Sequence, residues 1–362
     1  MKAQKFKLSI FILLILAGFS LQAKVQDEQV SKTLKKEYAV NTDTELKVNN
    51  KFGKVDIQNW DKDQLSIDVL IKVKHRNKEK AQEMLDYITV EFSKEGNVIL
   101  AETDINRKID NSGFIFNFDD ESAKDYSIDY TIMMPAYLNI DISNKFGDVF
   151  INEVTGLALI DVKYGNLKAN KIVRNKKPYS TVELAYSEGI IEECSWLKLD
   201  LSYSELEMDK SQALIVMSKF SELYVENVNS VVAESKFGNI EINSVANFVT
   251  TSSYTDFKFN EVSKRLDIDT KYGDCEVDYV PPGFEKINIT NRYGSVDVEI
   301  DESAEYRIKG EASFGDINYP SNGVVSKEED TNDMSIRGYI GTNPKASAEI
   351  FIDTKFGSVD IK

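Results

Sequence analysis

The sequence predicts an all-β protein, a parallel β-solenoid or β-helix-like stack of rungs about 17–21 residues long, with a small α+β cap at its N-terminal end. Three observations carry that prediction. A short phrase recurs along the chain, apolar residues alternate with period two on both sides of it, and one stretch near the N-terminus has a helical period instead.

The phrase is plainest at Lys51-Phe52-Gly53-Lys54-Val55-Asp56-Ile57, and it returns over 145–151, 236–242 and 355–361. With its aromatic as anchor there are twelve copies: Phe52, Phe146, Tyr164, Tyr186, Tyr203, Phe220, Phe237, Tyr254, Tyr272, Tyr293, Phe314 and Phe356. From Phe146 to Phe314 the intervals are 18, 22, 17, 17, 17, 17, 18, 21 and 21 residues. The last interval, 42, is twice 21 and predicts a degenerate copy between residues 320 and 345.

Six, four and two residues before each anchor stand small or apolar side chains, as in Leu214, Val216 and Ser218 before Phe220. This is the alternation of a strand with one buried face. Three and five residues after the anchor come apolar pairs such as Leu223/Val225, Ile240/Ile242, Phe257/Phe259 and Val296/Val298. An odd offset breaks the alternation, so the chain turns a corner just after the aromatic and both arms face one interior. Gly follows most anchors and eases the bend; Ser187, Ser204, Ser221 and Thr255 replace it, so a positive φ is not required there. A single unit is too small to bury its own face, and stacked units repeat at about 4.8 Å. The ten anchors from Phe146 to Phe314 then span roughly 48 Å. The expectation is that all twelve are structural core anchors, an interior column of rings beside aliphatic columns.

Two further columns follow from the same register. Cys275 falls with Phe257 and Val296, and Cys194 with Val154, Ile172, Val228, Val245 and Val262. Different columns and several rungs separate them by roughly 20 Å, beyond the reach of a disulfide. Both are expected to be buried free thiols. The inner position two before the anchor is Asn50, Asn144, Ser218, Ser235, Ser252, Thr270, Asn291 or Thr354 in eight copies, which predicts a buried polar ladder.

Residues 1–23 read as a signal peptide, with Lys2, Lys5 and Lys7 ahead of an apolar run from Leu8 to Phe19 and a cleavage site after Ala23. The run is too short to span a bilayer, and no Cys follows it to take a lipid anchor. Residues 24–137 form the cap region, with one first repeat near 46–57, and 138–362 carry the solenoid repeats. Within the cap, Leu65, Ile67, Val69, Ile71 and Val73 alternate as a strand, and Asn77 caps a helix whose apolar face is Ala81, Met84, Leu85 and Ile88. Glu95-Gly96-Asn97 closes a hairpin, 104–125 reads as a polar loop, and Ser127 to Met133 is a strand leading through Pro135 into the repeats. His75, the single His, is expected to be incidental.

The phrase Val48-Asn49-Asn50-Lys51-Phe52-Gly53-Lys54-Val55-Asp56-Ile57-Gln58-Asn59-Trp60, the Lys78–Ile88 helix and the recurring aromatic-Gly-x-Val/Ile motif together resemble a family of exported bacterial envelope proteins known as "putative adhesins". The likeness covers nearly all of the chain after the signal segment. It implies a β-solenoid and an envelope or extracellular location. The family has no established catalytic or ligand residues to carry over, and a fold alone does not assign a function.

The chain holds 60 acidic and 44 basic residues, and removing the signal segment takes three Lys and no acid, leaving a net charge of −19. That balance argues against a nucleic-acid partner, and one His excludes a multi-His metal site. A basic residue stands immediately before eight anchors: Lys51, Lys145, Lys163, Lys219, Lys236, Lys271, Arg292 and Lys355. Two residues after the anchor, Glu188, Glu205, Glu222, Asp256 and Asp274 form an acidic column; six after it, Glu192, Asp209, Glu226, Asp278 and Glu299 contribute to another. Stacked like charges repel, so the lysine column, a divalent cation or a basic partner is expected to offset them. The first acidic column is thus a calcium candidate, although neither an EF-hand nor a nonapeptide calcium motif is present. No other cofactor is implied. The functional reading is a non-enzymatic exported protein of the periplasm or cell surface, an adhesin-like module for a protein or glycan. The alternative is a periplasmic scaffold of solenoids associating end to end, unless residues 321–349 fold over the final edge. A polysaccharide-active enzyme comes third, because its cleft needs long loops that these rungs lack.

Overall fold

The structure, a computed structural model, describes residues 28–105 and 126–362. The expected signal peptide and most of the polar loop lie outside the described residues. Within them the strands join one 23-stranded sheet that bends at each anchor, and the fold is all-β with a single helix.

Strands entering a corner pair in parallel with their equivalents: Glu45–Lys51 with Asn139–Lys145, then Ala158–Lys163, then Ser180–Ala185. Strands leaving a corner do the same, from Val55–Asn59 through Val149–Val154 and Asn166–Ile172 to the strand starting at Glu188. The registers match position for position, with Asn50 opposite Asn144 and Val55 opposite Val149. From Glu205 to Lys271 the backbone stays in one continuous strand through the corners at Phe220, Phe237 and Tyr254.

The aliphatic columns are where the alternation puts them. Leu214, Val216, Leu223, Val225, Ile240, Ile242, Phe257 and Phe259 are all buried. Each such side chain contributes about 1.5–3 kcal/mol relative to exposure. Cys275 stands between Phe257 and Val296, Cys194 beside Ile172, and both thiols are free and buried. All eight predicted polar-ladder residues are buried as well. At its N-terminal end the ladder is a closed network. Asn50 Nδ2 donates to Asn144 Oδ1 at 3.1 Å, Thr103 Oγ1 donates to Asn50 Oδ1 at 3.0 Å, and Asn144 Nδ2 donates to the Gly147 carbonyl at 2.8 Å.

The anchors themselves are not in the core. Phe52 is half-buried, and the other eleven rings are 41–57% exposed. Every anchor has a left-handed backbone, with φ between 51° and 61°. That conformation ends the strand's alternation at the ring and turns it outward, while the following small residue faces in. The inner corner has no room for more: a Cβ on Gly147 would lie 2.1 Å from the Gly53 carbonyl oxygen, and one on Gly165 2.0 Å from that of Gly147. The bend thus resides in the aromatic rather than in the Gly after it.

The C-terminal rungs are also out of sequence order. The Ala348–Lys355 strand sits between Lys286–Arg292 and Tyr306–Ser313, parallel to both. The expected degenerate copy is instead an antiparallel hairpin, Gly323–Glu329 with Asp333–Ile340, laid along the far side of Tyr306–Ser313. Residues 321–349 therefore do cover that edge. At the other end Gln64–His75 runs antiparallel to Tyr126–Met134, and Glu28–Ala39 runs antiparallel to Gln64–His75. The hairpin Ile88–Glu95/Val98–Ile105 and the Lys78–Tyr87 helix are as predicted, with Asn77 Oδ1 accepting from the Glu79 and Lys80 amides at 2.8 and 3.1 Å. His75 Nδ1 accepts from the Asn77 amide at 2.9 Å, so this His braces the turn into the helix.

Candidate interaction surface

Because every rung turns its corner on an αL aromatic, the rings form one file along the outside of the stack. Neighbouring centroids are 4.7–5.1 Å apart and the planes lie within 15° of parallel, from Phe52 through Phe146 to Tyr293, then Phe356 and Phe314. An αL conformation costs an L-residue about 1–2 kcal/mol, and a stacked ring pair returns about 0.5–1.5 kcal/mol. Since neighbours occupy the faces of each ring, the edges and the tyrosine hydroxyls are what the file offers to solvent.

The basic residues before the anchors do not neutralise the acidic column. Lys163 pairs with Asp161 at 2.9 Å and Lys236 with Glu234 at 3.5 Å, each on its own strand before the ring. Arg292 pairs with Asp353 of the adjacent rung at 3.0 Å. Lys145 Nζ sits 4.6 Å from the Phe146 ring centroid.

Within the acidic column the five calcium candidates behave differently. Asp256 Oδ1 accepts from the Asp274 amide at 2.9 Å, and Asp274 Oδ1 accepts from the Ser295 amide at 2.7 Å. Those carboxylates brace the next rung. Glu188, Glu205 and Glu222 project from three successive rungs into solvent, and among the described residues no cation or hydrogen-bond donor engages them. No group of three or more His, Cys, Asp or Glu gathers as a metal site among the described residues. One carboxylate per rung along a line is far from the six to eight oxygens that calcium takes. At the spacing of neighbouring rungs two carboxylates repel by about 1 kcal/mol in water.

These three carboxylates line one wall of an open groove of about 530 Å³. The opposite wall is Tyr164, Tyr186, Tyr203 and Phe220, and the floor is Gly165, Ser187, Ser204 and Ser221. The floor is closed by its own hydrogen bonds: the Ser187 amide donates to Ser204 Oγ at 3.2 Å and the Ser204 amide to Ser221 Oγ at 3.0 Å. Here the basic column has a gap, because Ala185 and Ser202 precede Tyr186 and Tyr203. Sequence spacing predicts both walls but puts the rings inside; the small residue after all twelve anchors is the signal that the inner corner cannot hold a ring.

Fold and surface define an all-β repeat protein with an outward aromatic file. The chain belongs to the Toastrack DUF4097 family, whose model matches residues 43–362. Among solved structures it is similar to a "putative cell adhesion protein" from Clostridium sporogenes, at 12% identity over 91% of this chain and 99% of that one, with a TM-score of 0.16. It is also similar to a "putative adhesin" from Bacteroides fragilis, at 12% identity over 91% and 97%, with a TM-score of 0.29. A third, a "putative lipid binding protein" from Parabacteroides distasonis, matches at 11% identity over 91% and 97%, with a TM-score of 0.32. No functionally curated protein matches the chain. Among the described residues no helix is long and apolar enough to cross a membrane.

Proposed function

We propose that this is a non-enzymatic, exported envelope protein in which a parallel β-solenoid, capped at both ends by antiparallel strands, presents its aromatic file as an adhesin-like surface. The observation that carries the reading is the placement of eleven exposed rings in one unbroken line on left-handed backbone. Gly and Asn take that conformation at less cost, and a ring needed only for packing belongs in the core. A contiguous exposed apolar file of this length marks an interaction surface. Its straightness suits an extended partner that contacts several rungs.

The scaffold reading is less well supported. The edge strands Glu28–Ala39 and Gly323–Glu329 carry Lys32, Lys35 and Lys36, and Lys327, Glu328 and Glu329. Charges on edge strands oppose pairing with another chain. Two measurements test the proposal. Protease added to intact cells should digest the full-length protein, whereas complete protection would place it in the periplasm and end the adhesin reading. Beads coated with the protein should retain intact cells of the producing strain. The variant Tyr186→Asn/Tyr203→Asn/Phe220→Asn, which keeps residues suited to αL, should lose that retention; equal retention would remove the file from the binding face.

A further inference from the structure

We propose that two copies of this chain associate by exchanging one rung, the 348–361 segment of each filling a slot in the other. This association is independent of what the ring file binds. The slot lies between strands that precede the segment in the sequence. Ala348–Lys355 runs between Lys286–Arg292 and Tyr306–Ser313, and Ser358–Ile361 runs between Ser295–Ile300 and Asp316–Asn318, parallel to its neighbours throughout. Both walls are therefore complete by Asn318, before the chain reaches Ala348. N-terminal parts fold first during synthesis, so the slot is open to whichever copy of the rung arrives.

The slot selects its occupant. Ile350 stands between Ile287 and Ile308, and Val359 between Val296 and Ile317, all of them buried. Outside the core, Asp353 meets Arg292 at 3.0 Å, Glu349 meets Arg307, and Lys362 meets Asp297 at 2.7 Å. None of the other repeat copies has acids seven and three residues before its aromatic and a Lys six after it. The strand that fits is therefore this one, from the same chain or from a second copy of it.

Two features let the rung leave its own copy. Asn291 Oδ1 and Thr354 Oγ1, on facing positions, are buried with no hydrogen-bond partner among the described residues, as is the hydroxyl of Tyr306 opposite Ala348. Unmet buried polar groups weaken this seam, whereas the ladder at the N-terminal end is a closed network. The three ion pairs lie at the surface and add little. The rung is tied to its own copy through residues 341–347, where the Thr342 hydroxyl and amide donate to Glu305 Oε1 at 2.6 and 3.0 Å. Its other contacts are the same whichever copy supplies it, so the balance of monomer and dimer rests on this linker and on concentration.

Isotope mixing tests the exchange without altering the chain. Full-length protein labelled with light or with heavy nitrogen is unfolded in urea as an equal mixture and refolded at low and high concentration. A carbodiimide then joins amines to carboxylates in contact, and the links are mapped by mass spectrometry. A dimer is expected, with a share that grows with concentration. In it the Lys362–Asp297 link should join light to heavy chains as often as like to like. Lys47 and Asp141, 3.2 Å apart in rungs that do not exchange, should link like to like only. A native mixture held at high concentration gives the same readout. A monomer alone at every concentration, or a dimer in which Lys362 and Asp297 never join light to heavy, would overturn the exchange. Mixed Lys47–Asp141 links would overturn it too, since the copies would then be intermingled along the whole stack.

Discussion

At the corner, backbone conformation decides the fate of each side chain. Phe220 has φ 51° and stacks between Tyr203 and Phe237 at 4.9 and 4.7 Å. Phe220→Asn keeps a residue at ease in αL and gives up two ring contacts, so urea unfolding should register a loss of about 1–3 kcal/mol. Phe220→Val gives up the same contacts and adds a β-branched side chain where φ is positive, so its loss should be clearly larger. Equal losses would mean that the corner carries no conformational demand. Gly147→Ala places a Cβ 2.1 Å from the Gly53 carbonyl oxygen and should destabilise by about 1–3 kcal/mol in the same assay. The anchors were legible in the sequence as a register and illegible as a direction. Period two, extended from the positions before the anchor, carries the ring inward. The left-handed backbone sends it out, and the small residue after every anchor is its one trace in the sequence.

Among the elements, those built on simple alternation were readable and those built on pairing choice were not. The Gln64–His75 strand follows from five alternating apolar residues, all fully buried. Glu28–Ala39 escapes the same test because Lys32 and Lys36 interrupt the Val30, Leu34, Tyr38 series, and the strand is held by antiparallel pairing with Gln64–His75. The 42-residue interval before Phe356 misleads because a hairpin and a rung have similar lengths; only tertiary pairing inserts Phe356 between Tyr293 and Phe314. That insertion is pinned from outside. Glu305 Oε1 accepts from the Thr342 hydroxyl at 2.6 Å and its amide at 3.0 Å, and these bonds hold its carboxyl below the usual range. A lowered folded-state value contributes stability above the ordinary carboxylate range, lost as pH falls through that lowered value. Amide exchange around Thr342 should therefore quicken relative to the core strands on acidification, and Glu305→Gln should abolish that pH dependence. An unchanged ratio in the wild type would contradict it. The cysteines test the columns directly. Burial pushes the Cys194 thiol up to about 11 and raises Cys275 further. Neither should react with iodoacetamide at about pH 8 until the protein is unfolded. Labelling of either thiol in the native state would break the column assignment.

On the scale of the whole molecule, the negative charge is organised rather than diffuse. Lys163 and Lys236 are matched by acids on their own strands, Asp256 and Asp274 brace successive rungs, and Glu188, Glu205 and Glu222 stand with no cation beside them among the described residues. The sequence made the columns visible, whereas their partners depended on which side of the ring file each one lies. A binding face on the ring file requires that file to face solvent, and tyrosine nitration of the native protein followed by peptide mapping measures it most directly. Tyr164, Tyr186, Tyr203, Tyr254, Tyr272 and Tyr293 should be nitrated, while the buried Tyr130 and Tyr306 are spared. Protection of the six anchors, at the level of Tyr130 and Tyr306, would return the rings to the interior and contradict the account.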